Sequence, residues 1–527
     1  MKSPSSLLSV FSFFLVASAV AADFVPPHHV VVVVWDGMRP DFVSPETTPN
    51  LSRLATEGVS FAHHHPVYLS STEVNGTAIA TGAYPAHSSI IANNDFRPAI
   101  DPQKMIEMQV PEVVRKGDEV SGGHYLGRPT VAEILHAHGL ATVIAGAKQV
   151  ALLHDRAPRQ AGPGVSPLLY QGETLPQPLG STLAKVLGDF PKATESDDKT
   201  ARDEWTTRAL IGPLWQDGVP PFSLLWLSEP DSSQHATGPG SAQSLAAIKS
   251  SDNNLGLVLA DLERRGLRTT TDVFVVSDHA FSTINRKVDV VVELSVAGFQ
   301  SKRVALGGLK SGEVLVVSNG GSSLFFVGQH DEAVLQKLTV WLQAQDWTGV
   351  IFSRHPAEGT FPLAEAHIDS PEAPDLVVSY RWTAGKSATG VTGLQVSDLA
   401  PSSKKIGNHA SLSPYDMHNT LVAAGPDIRR GVTDTLPSGN TDLAPTILWL
   451  LGLKDEVAKM DGRVLSEALT VEAPRLKSYE LKQLEARRAN AAGVWSQQLQ
   501  VSEVNGVRYL DQGTGSFELK TGPAVAK

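Results

Sequence analysis

The chain contains no cysteine. That absence excludes a disulfide scaffold, a thiolate zinc site and a cysteine nucleophile together. An exported protein with a large core has no need of disulfides. A basic surplus is missing too: 44 Lys and Arg stand against 55 Asp and Glu, a formal charge of −11. Binding to a nucleic-acid scaffold draws on a basic stripe that displaces counterions, so that class is excluded. Anionic substrates stay open, because bound metal ions would dominate the local field. Beyond the N-terminus no segment approaches the roughly 18 uninterrupted apolar residues of a membrane span, so no transmembrane anchor is expected. The glycine-rich loops of P-loop and dinucleotide-binding proteins are absent, as is the Gly-x-Ser-x-Gly elbow of serine hydrolases.

What is present is ordinary for a folded soluble protein: 42% hydrophobic and 19% charged residues over 527 positions. That length holds one large domain with insertions, or two to three average ones. The N-terminus reads as an export signal over residues 1–21. Lys2 supplies the positive end, Leu7 to Val16 the short apolar run, and Ala19-Val20-Ala21 the small-residue cleavage site. The mature protein is expected from about Ala22, periplasmic or secreted.

From Val30 to about Gly452, strand-like runs alternate with helical stretches, which predicts a doubly wound α/β sheet with helices on both faces. Three hydrophobic strands run out into acidic residues. Val30 to Trp35 leads to Asp36, Phe222 to Leu227 leads to Asp231 with His235, and Asp272 to Ser277 leads to Asp278 with His279. In a parallel sheet the carboxyl ends of such strands share one edge. With the later His409, these residues form an oxygen and nitrogen donor set without sulfur, suited to divalent ions acting as Lewis acids. A metallohydrolase is expected.

Thr130-x-x-Glu133 is a capping box opening a helix through His136, ahead of a strand from Ala141 to Ala145. Residues 98–128, rich in Gly, Pro and charge, read as an irregular excursion. About 285–370 reads as an inserted cap, with strands at Glu313–Val317 and Ser323–Val327 and a helix from Glu332 to Gln345. Asp375 to Tyr380 reads as a strand returning to the core, so the catalytic domain spans 22–470. Residues 471–527 form an appendage, with a charged helix from Lys477 to Gln498 and a hairpin turn at Val504-Asn505-Gly506-Val507. The pair His28-His29 is expected in solvent, and His63-His64-His65 in packing near the site.

Taken in order, these motifs resemble the alkaline phosphatase superfamily, and within it the nucleotide pyrophosphatase/phosphodiesterase branch. The resemblance rests on Trp35-Asp36-Gly37-Met38-Arg39-Pro40-Asp41, Thr48-Pro49-Asn50-Leu51, Ser71-Thr72-Glu73-Val74-Asn75 and Ile79-Ala80-Thr81-Gly82. It continues through Glu229-Pro230-Asp231 to His235, Ser277-Asp278-His279, Gly407-Asn408-His409 and Asp442-Leu443-Ala444-Pro445-Thr446. It covers roughly 30–150, 222–283 and 370–452. The resemblance implies an alkaline-phosphatase-like fold and two Zn2+ per chain. Asp36, Thr72, Asp278 and His279 would surround one ion, and Asp231, His235 and His409 the other. It further implies Thr72 as nucleophile and Asn93, 21 positions later, as a donor to a small phosphorylated substrate. Ser70 and Ser71 compete with Thr72, and His418 with His409, on residue type alone. A threonine needs a base or a metal to attack, and two ions about 4 Å apart clamp both oxygens of an in-line displacement.

The chain departs from that branch at three places. Glu73 follows the nucleophile where an aromatic usually stacks on a base. Ser71 replaces the usual lysine, and Val74 the usual proline. Lys148 in Ala147-Lys148-Gln149-Val150 resembles the basic residue of threonine-dependent phosphomonoesterases and phosphonoacetate hydrolases, though Val150 replaces the second basic group. A phosphodiesterase or nucleotide pyrophosphatase is therefore expected first. A phosphomonoesterase or phosphonate hydrolase using Lys148 is the alternative, and a metal-containing binding protein without catalysis is the reading from another class.

Overall fold

The computed structural model describes residues 28–162, 164–192, 198–476 and 478–520. The expected export signal lies outside them. A nine-stranded sheet forms the centre, ordered Val432–Gly439, Val59–His65, Leu421–Ala424, Thr271–Val276, His29–Trp35, Phe222–Leu227, Thr142–Gly146, Leu168–Tyr170 and Glu173–Leu175. Only Leu421–Ala424 and Glu173–Leu175 run against the rest.

The valine run of His29–Trp35 is explained by its place between two parallel neighbours. A strand covered on both faces is hydrophobic at every position rather than at alternate ones. Val30, Val32 and Val34 enter one core with Val74 and Ile79 of the helix Thr72–Thr81 and Ile447 of Leu443–Leu450. Val31, Val33 and Trp35 enter the other with Leu51, Trp205 and Leu255 from three further helices. The doubly wound expectation holds.

The capping box forms, with Thr130 Oγ1 accepting from Glu133 N–H and Glu133 accepting from Thr130 N–H. Residues 98–128 are more ordered than expected and contain the helix Pro111–Ser121. The Pro and Gly that suggested irregularity are its start and stop signals: Pro111 opens the first turn, and Gly122 closes it in the left-handed region at φ 67°. His28 and His29 are not solvated either. His28 Nε2 lies 2.7 Å from Asp272 Oδ2, and His29 donates from Nδ1 to Pro220 O.

The insertion builds a six-stranded sheet ordered Gln300–Lys302, Glu313–Ser318, Ser322–Val327, Leu376–Tyr380, Thr348–Ser353 and Phe361–Pro362. Leu338 and Leu342 of the helix Glu332–Gln343 cover one face. Leu376–Tyr380 does not return to the central sheet as expected. It pairs with Ser322–Val327 and Thr348–Ser353, so the insertion runs past residue 370. A four-stranded sheet that includes Ser282–Val288 and Gly407–Asn408 joins it to the site.

The helix expected over 477–498 does not form. Tyr479–Ala489, Gly493–Val504 and Val507–Leu519 make a three-stranded antiparallel sheet instead, turned at Asn505-Gly506. Glu, Lys, Gln and Arg favour helices locally, but burial alternates with period two. Trp495, Gln497, Leu499 and Val501 all point inward, against the insertion. Tertiary burial overrides the local propensity.

Candidate active site

Because His29–Trp35, Phe222–Leu227 and Thr271–Val276 are parallel and in register, the residues that follow them meet at one edge. The turn after the first strand needs Gly37, at φ 76°, because a Cβ there would lie 3.1 Å from Asp231 Cα. Asp231 N–H in turn donates to Asp36 O at 2.9 Å.

Each of the three carboxylates has one oxygen fixed by the protein. Trp226 Nε1 donates to Asp36 Oδ2 at 2.9 Å, and Lys148 Nζ donates to Asp231 Oδ2 at 3.2 Å. Gly37 and His279 N–H both donate to Asp278 Oδ1, each at 3.0 Å. The other oxygens, Asp36 Oδ1, Asp231 Oδ1 and Asp278 Oδ2, are buried and have no hydrogen-bond partner among the described residues. Orphaned buried acceptors carry a desolvation cost unless a cation meets them.

The histidines are oriented to match. His235 Nδ1 bonds Gly407 O, His279 Nδ1 bonds Ala280 O and His409 Nδ1 bonds Ser70 O, at 3.0, 3.0 and 2.9 Å. A carbonyl accepts only from an N–H, so Nδ1 carries a proton in each ring and Nε2 is the nitrogen turned to the cluster. That is the arrangement of metal-ligating histidines. Burial pushes His235 down to about 3 and His409 well below the usual imidazole range, which keeps both neutral. Asp231 Oδ1 stands 3.4 Å from His235 Nε2, 3.7 Å from His409 Nε2 and 4.0 Å from His279 Nε2. His279 Nε2 also lies 3.6 Å from Asp36 Oδ1 and 3.4 Å from Asp278 Oδ2.

Two overlapping donor sets result, Asp231 with His235 and His409, and Asp36 with Asp231 and His279. The donor chemistry and the orphaned oxygens fit a pair of divalent ions, with Asp231 nearer to both sets than the simple division of ligands implied. The structure brings His409 into the cluster, whereas His418 stacks on His63. His64 bonds Ser438 and Asn440, and His65 bonds Asp511, so these two histidines are packing, whereas His63 is exposed.

The helix Thr72–Thr81 starts at the cluster and ends at Gly82 in the left-handed region, φ 65°. Thr72 Oγ1 is 3.3 Å from His279 Nε2. Ser70 and Ser71 are turned to the backbone carbonyls of Ser411 and Leu69. Asn93 Oδ1 accepts from Glu73 N–H at 3.0 Å, which fixes the amide beside the helix start. Lys148 is not a free strand-end lysine, since its Nζ also lies 2.8 Å from Asp36 Oδ2. Burial works against its charge, but Asp231, Asp36 and Asp278 outweigh that and raise its pKa well above the usual value.

Several contributors escaped the sequence reading. Asn440 donates from Nδ2 to Asp278 O at 2.7 Å and to Asn75 Oδ1 at 3.0 Å, tying the helix Thr72–Thr81 to the loop that carries Asp278. Trp226 was visible only as a hydrophobic strand residue. A cavity of about 350 Å3 opens beside Thr72, lined by Glu73, Asn93, Glu107, Gln109, Asn319 and Lys405 among others. Glu73 is buried, and that burial pushes its carboxyl up to about 8.

A doubly wound sheet with this donor cluster at its carboxyl edge defines an alkaline-phosphatase-like protein. The model of the type I phosphodiesterase / nucleotide pyrophosphatase family matches residues 30–383, and the chain belongs to that family. Ectonucleotide pyrophosphatase/phosphodiesterase family member 3 from Mus musculus is 25% identical over 48% of this chain and 25% of its own length. Venom phosphodiesterase 2 from Crotalus adamanteus is 23% identical over 49% of this chain and 27% of its own. The chain thus spans about a quarter of the length of these curated relatives. The fold is shared with murine ectonucleotide pyrophosphatase/phosphodiesterase 5, solved as an inactive variant in complex with AMP. That match has a TM-score of 0.57 and 17% identity, covering 81% of this chain and 95% of the other. No helix among the described residues is long and apolar enough to cross a membrane.

Proposed function

We propose that the protein is an exported, zinc-dependent phosphodiesterase or nucleotide-pyrophosphatase-like hydrolase that works through a phosphothreonine at Thr72. One observation carries the reading: Thr72 Oγ1 faces His279 Nε2 at 3.3 Å, where three orphaned carboxylate oxygens converge. Asp36, Asp278, His279 and Thr72 would hold one ion and Asp231, His235 and His409 the other. When bound, the ions supply Lewis-acid charge that lowers the pKa of the threonine hydroxyl and offsets the charge of the phosphate.

The chain's own residues do the rest. The start of the helix Thr72–Thr81 aims its positive end at the phosphate. The Asn93 amide, locked by Glu73 N–H, offers its Nδ2 to a non-bridging oxygen as charge shifts in the transition state. Thr72 Oγ1 attacks phosphorus, the alcohol leaves with the bonding electrons and takes a proton, and water then cleaves the phosphothreonine. A monoesterase needs a basic group aimed at the extra substrate charge, whereas Lys148 Nζ is engaged by Asp36 and Asp231. The diester reading is therefore preferred.

The test is hydrolysis of bis(4-nitrophenyl) phosphate against 4-nitrophenyl phosphate, with metal analysis of the same sample. About two zinc per chain and a diester preference of roughly a hundredfold, about 2.7 kcal/mol, support the proposal. Thr72→Ala should abolish turnover while keeping the metal. Full activity in that variant sinks the nucleophile assignment.

A further inference from the structure

The cavity beside Thr72 is suited to a ligand quite unlike a nucleobase. The only rings among its described lining residues are the imidazoles of His235 and His409, whose ring nitrogens are taken up by the donor cluster. Base recognition draws on a free aromatic face for stacking, and none is offered. Two of the cavity's lining residues do hold unsatisfied acceptors at its wall. Glu73 is 1% exposed, yet its Oε2 has no hydrogen-bond partner among the described residues. The Gln109 Oε1 on the same cavity is also without one. The neighbouring amides do not compensate: Asn319 accepts from Asn94 N–H on Oδ1 at 2.8 Å and donates from Nδ2 to Asn94 O at 3.0 Å, and Asn94 donates from Nδ2 to Ser318 O at 3.2 Å.

A buried acceptor left unpaired costs about 1–3 kcal/mol, which a ligand N–H or O–H removes on binding. A ligand of the same shape without a donor leaves that cost in place, and this asymmetry is what gives hydrogen-bonding sites their discrimination. Glu73 immediately follows the nucleophile, so the donor must lie close to the scissile ester.

We propose that Glu73 is a specificity-determining residue, selecting phosphodiesters whose retained alcohol is small and carries an ammonium or hydroxyl donor near the ester oxygen. This rests on the phosphodiesterase reading above. Two sources share that chemistry, amino-alcohol and polyol esters, and a quaternary ammonium ester carries the charge without the donor.

The experiment compares kcat/KM of the zinc-loaded wild-type protein on four 4-nitrophenyl phosphodiesters. Their retained groups are 2-aminoethyl, 2-hydroxyethyl, 2-(trimethylammonio)ethyl and phenyl. The donor-bearing esters should exceed the phenyl and trimethylammonio esters by about tenfold, ~1.4 kcal/mol. A preference for 2-aminoethyl over 2-hydroxyethyl assigns the amino-alcohol source, and the reverse assigns the polyol. In Glu73→Met the ranking should collapse to within about twofold. The wild-type ranking stands as a test even where that variant fails to fold. A trimethylammonio ester that matches the aminoethyl ester overturns the proposal in favour of bare charge, and a favoured phenyl ester overturns it outright. Turnover of all four without ranking defeats this inference alone. Turnover of none defeats the phosphodiesterase reading, and this inference with it.

Discussion

The ammonium of Lys148 lies 2.8 Å from Asp36 Oδ2, in the seam between the two donor sets. Three buried carboxylates within one cluster repel one another strongly. Burial and the neighbouring Asp278 push the Asp36 carboxyl well above its usual range, while Lys148 works the other way. Lys148 therefore supplies part of the positive charge that the cluster needs, and it does so from the protein itself.

Removing that charge should be felt most when metal is absent. Lys148→Met is expected to destabilise the chelator-treated protein by about 2–4 kcal/mol, since breaking a buried pair leaves its partners uncompensated. The lower figure is the better guide, because the side chain is 19% exposed and partly screened. Zinc should restore more of the lost melting temperature in the variant than it adds to the wild type. Thermal unfolding with and without chelator measures both. Equal shifts would mean that Lys148 does not share the cluster's charge.

Asn440 is the second place where one side chain holds the site together. Its Nδ2 serves both Asp278 O and Asn75 Oδ1, and its Oδ1 meets His64 Nε2 at 2.9 Å. Asn440→Asp turns the donor into an acceptor facing two acceptors, all buried. A loss of about 2–4 kcal/mol in denaturant unfolding is expected, with weaker zinc binding because the Asp278 loop loses its tie. Stability within about 0.5 kcal/mol of wild type would remove Asn440 from this role.

The donor cluster was legible because each of its three carboxylates follows a strand that is largely hydrophobic and buried along its whole length, and parallel strands leave little freedom in where their ends meet. Asp36, Asp231 and Asp278 needed only that rule, and the order of motifs supplied Thr72, Asn93 and His409. The supporting residues were not legible. Asn440, Trp226 and Gln109 belong to distant segments, and their types say nothing about which atom they face. The C-terminal region was misread for a different reason. Its polar residues are good helix formers, and the alternation of Trp495, Gln497, Leu499 and Val501 gains meaning only once the insertion provides a surface to bury them.

That surface gives a direct check on the C-terminal sheet. Trp495 is 1% exposed, donates from Nε1 to Gly359 O at 2.8 Å, and packs with the insertion core. Trp495→Ala should cost about 3–5 kcal/mol, seen as a lower denaturation midpoint. The turnover per folded molecule should stay near the wild-type value, because none of the cluster's ligands touches this sheet. A fall in kcat without a change in the midpoint would contradict the structural role.

His28 sets the pH dependence at the opposite edge of the central sheet. The hydrogen bond to Asp272 is the main cause that raises its pKa above 6.5, helped by Asp427 and opposed by burial. Asp272 is fully buried and also accepts from Asp427 N–H at 3.2 Å, so its charge is held in place. A histidine that binds its proton more tightly when folded stabilises the protein fully below about pH 6.5. That contribution disappears as pH rises through the raised folded value, because the folded state then gives up a proton the unfolded state has already lost. The melting temperature should therefore decline on the alkaline side of this window. His28→Gln should start lower at pH 5.5 and show a flatter profile from there to pH 8.5. Parallel profiles for wild type and variant would place the pH dependence elsewhere, since only a group whose proton affinity changes on folding can tilt the curve.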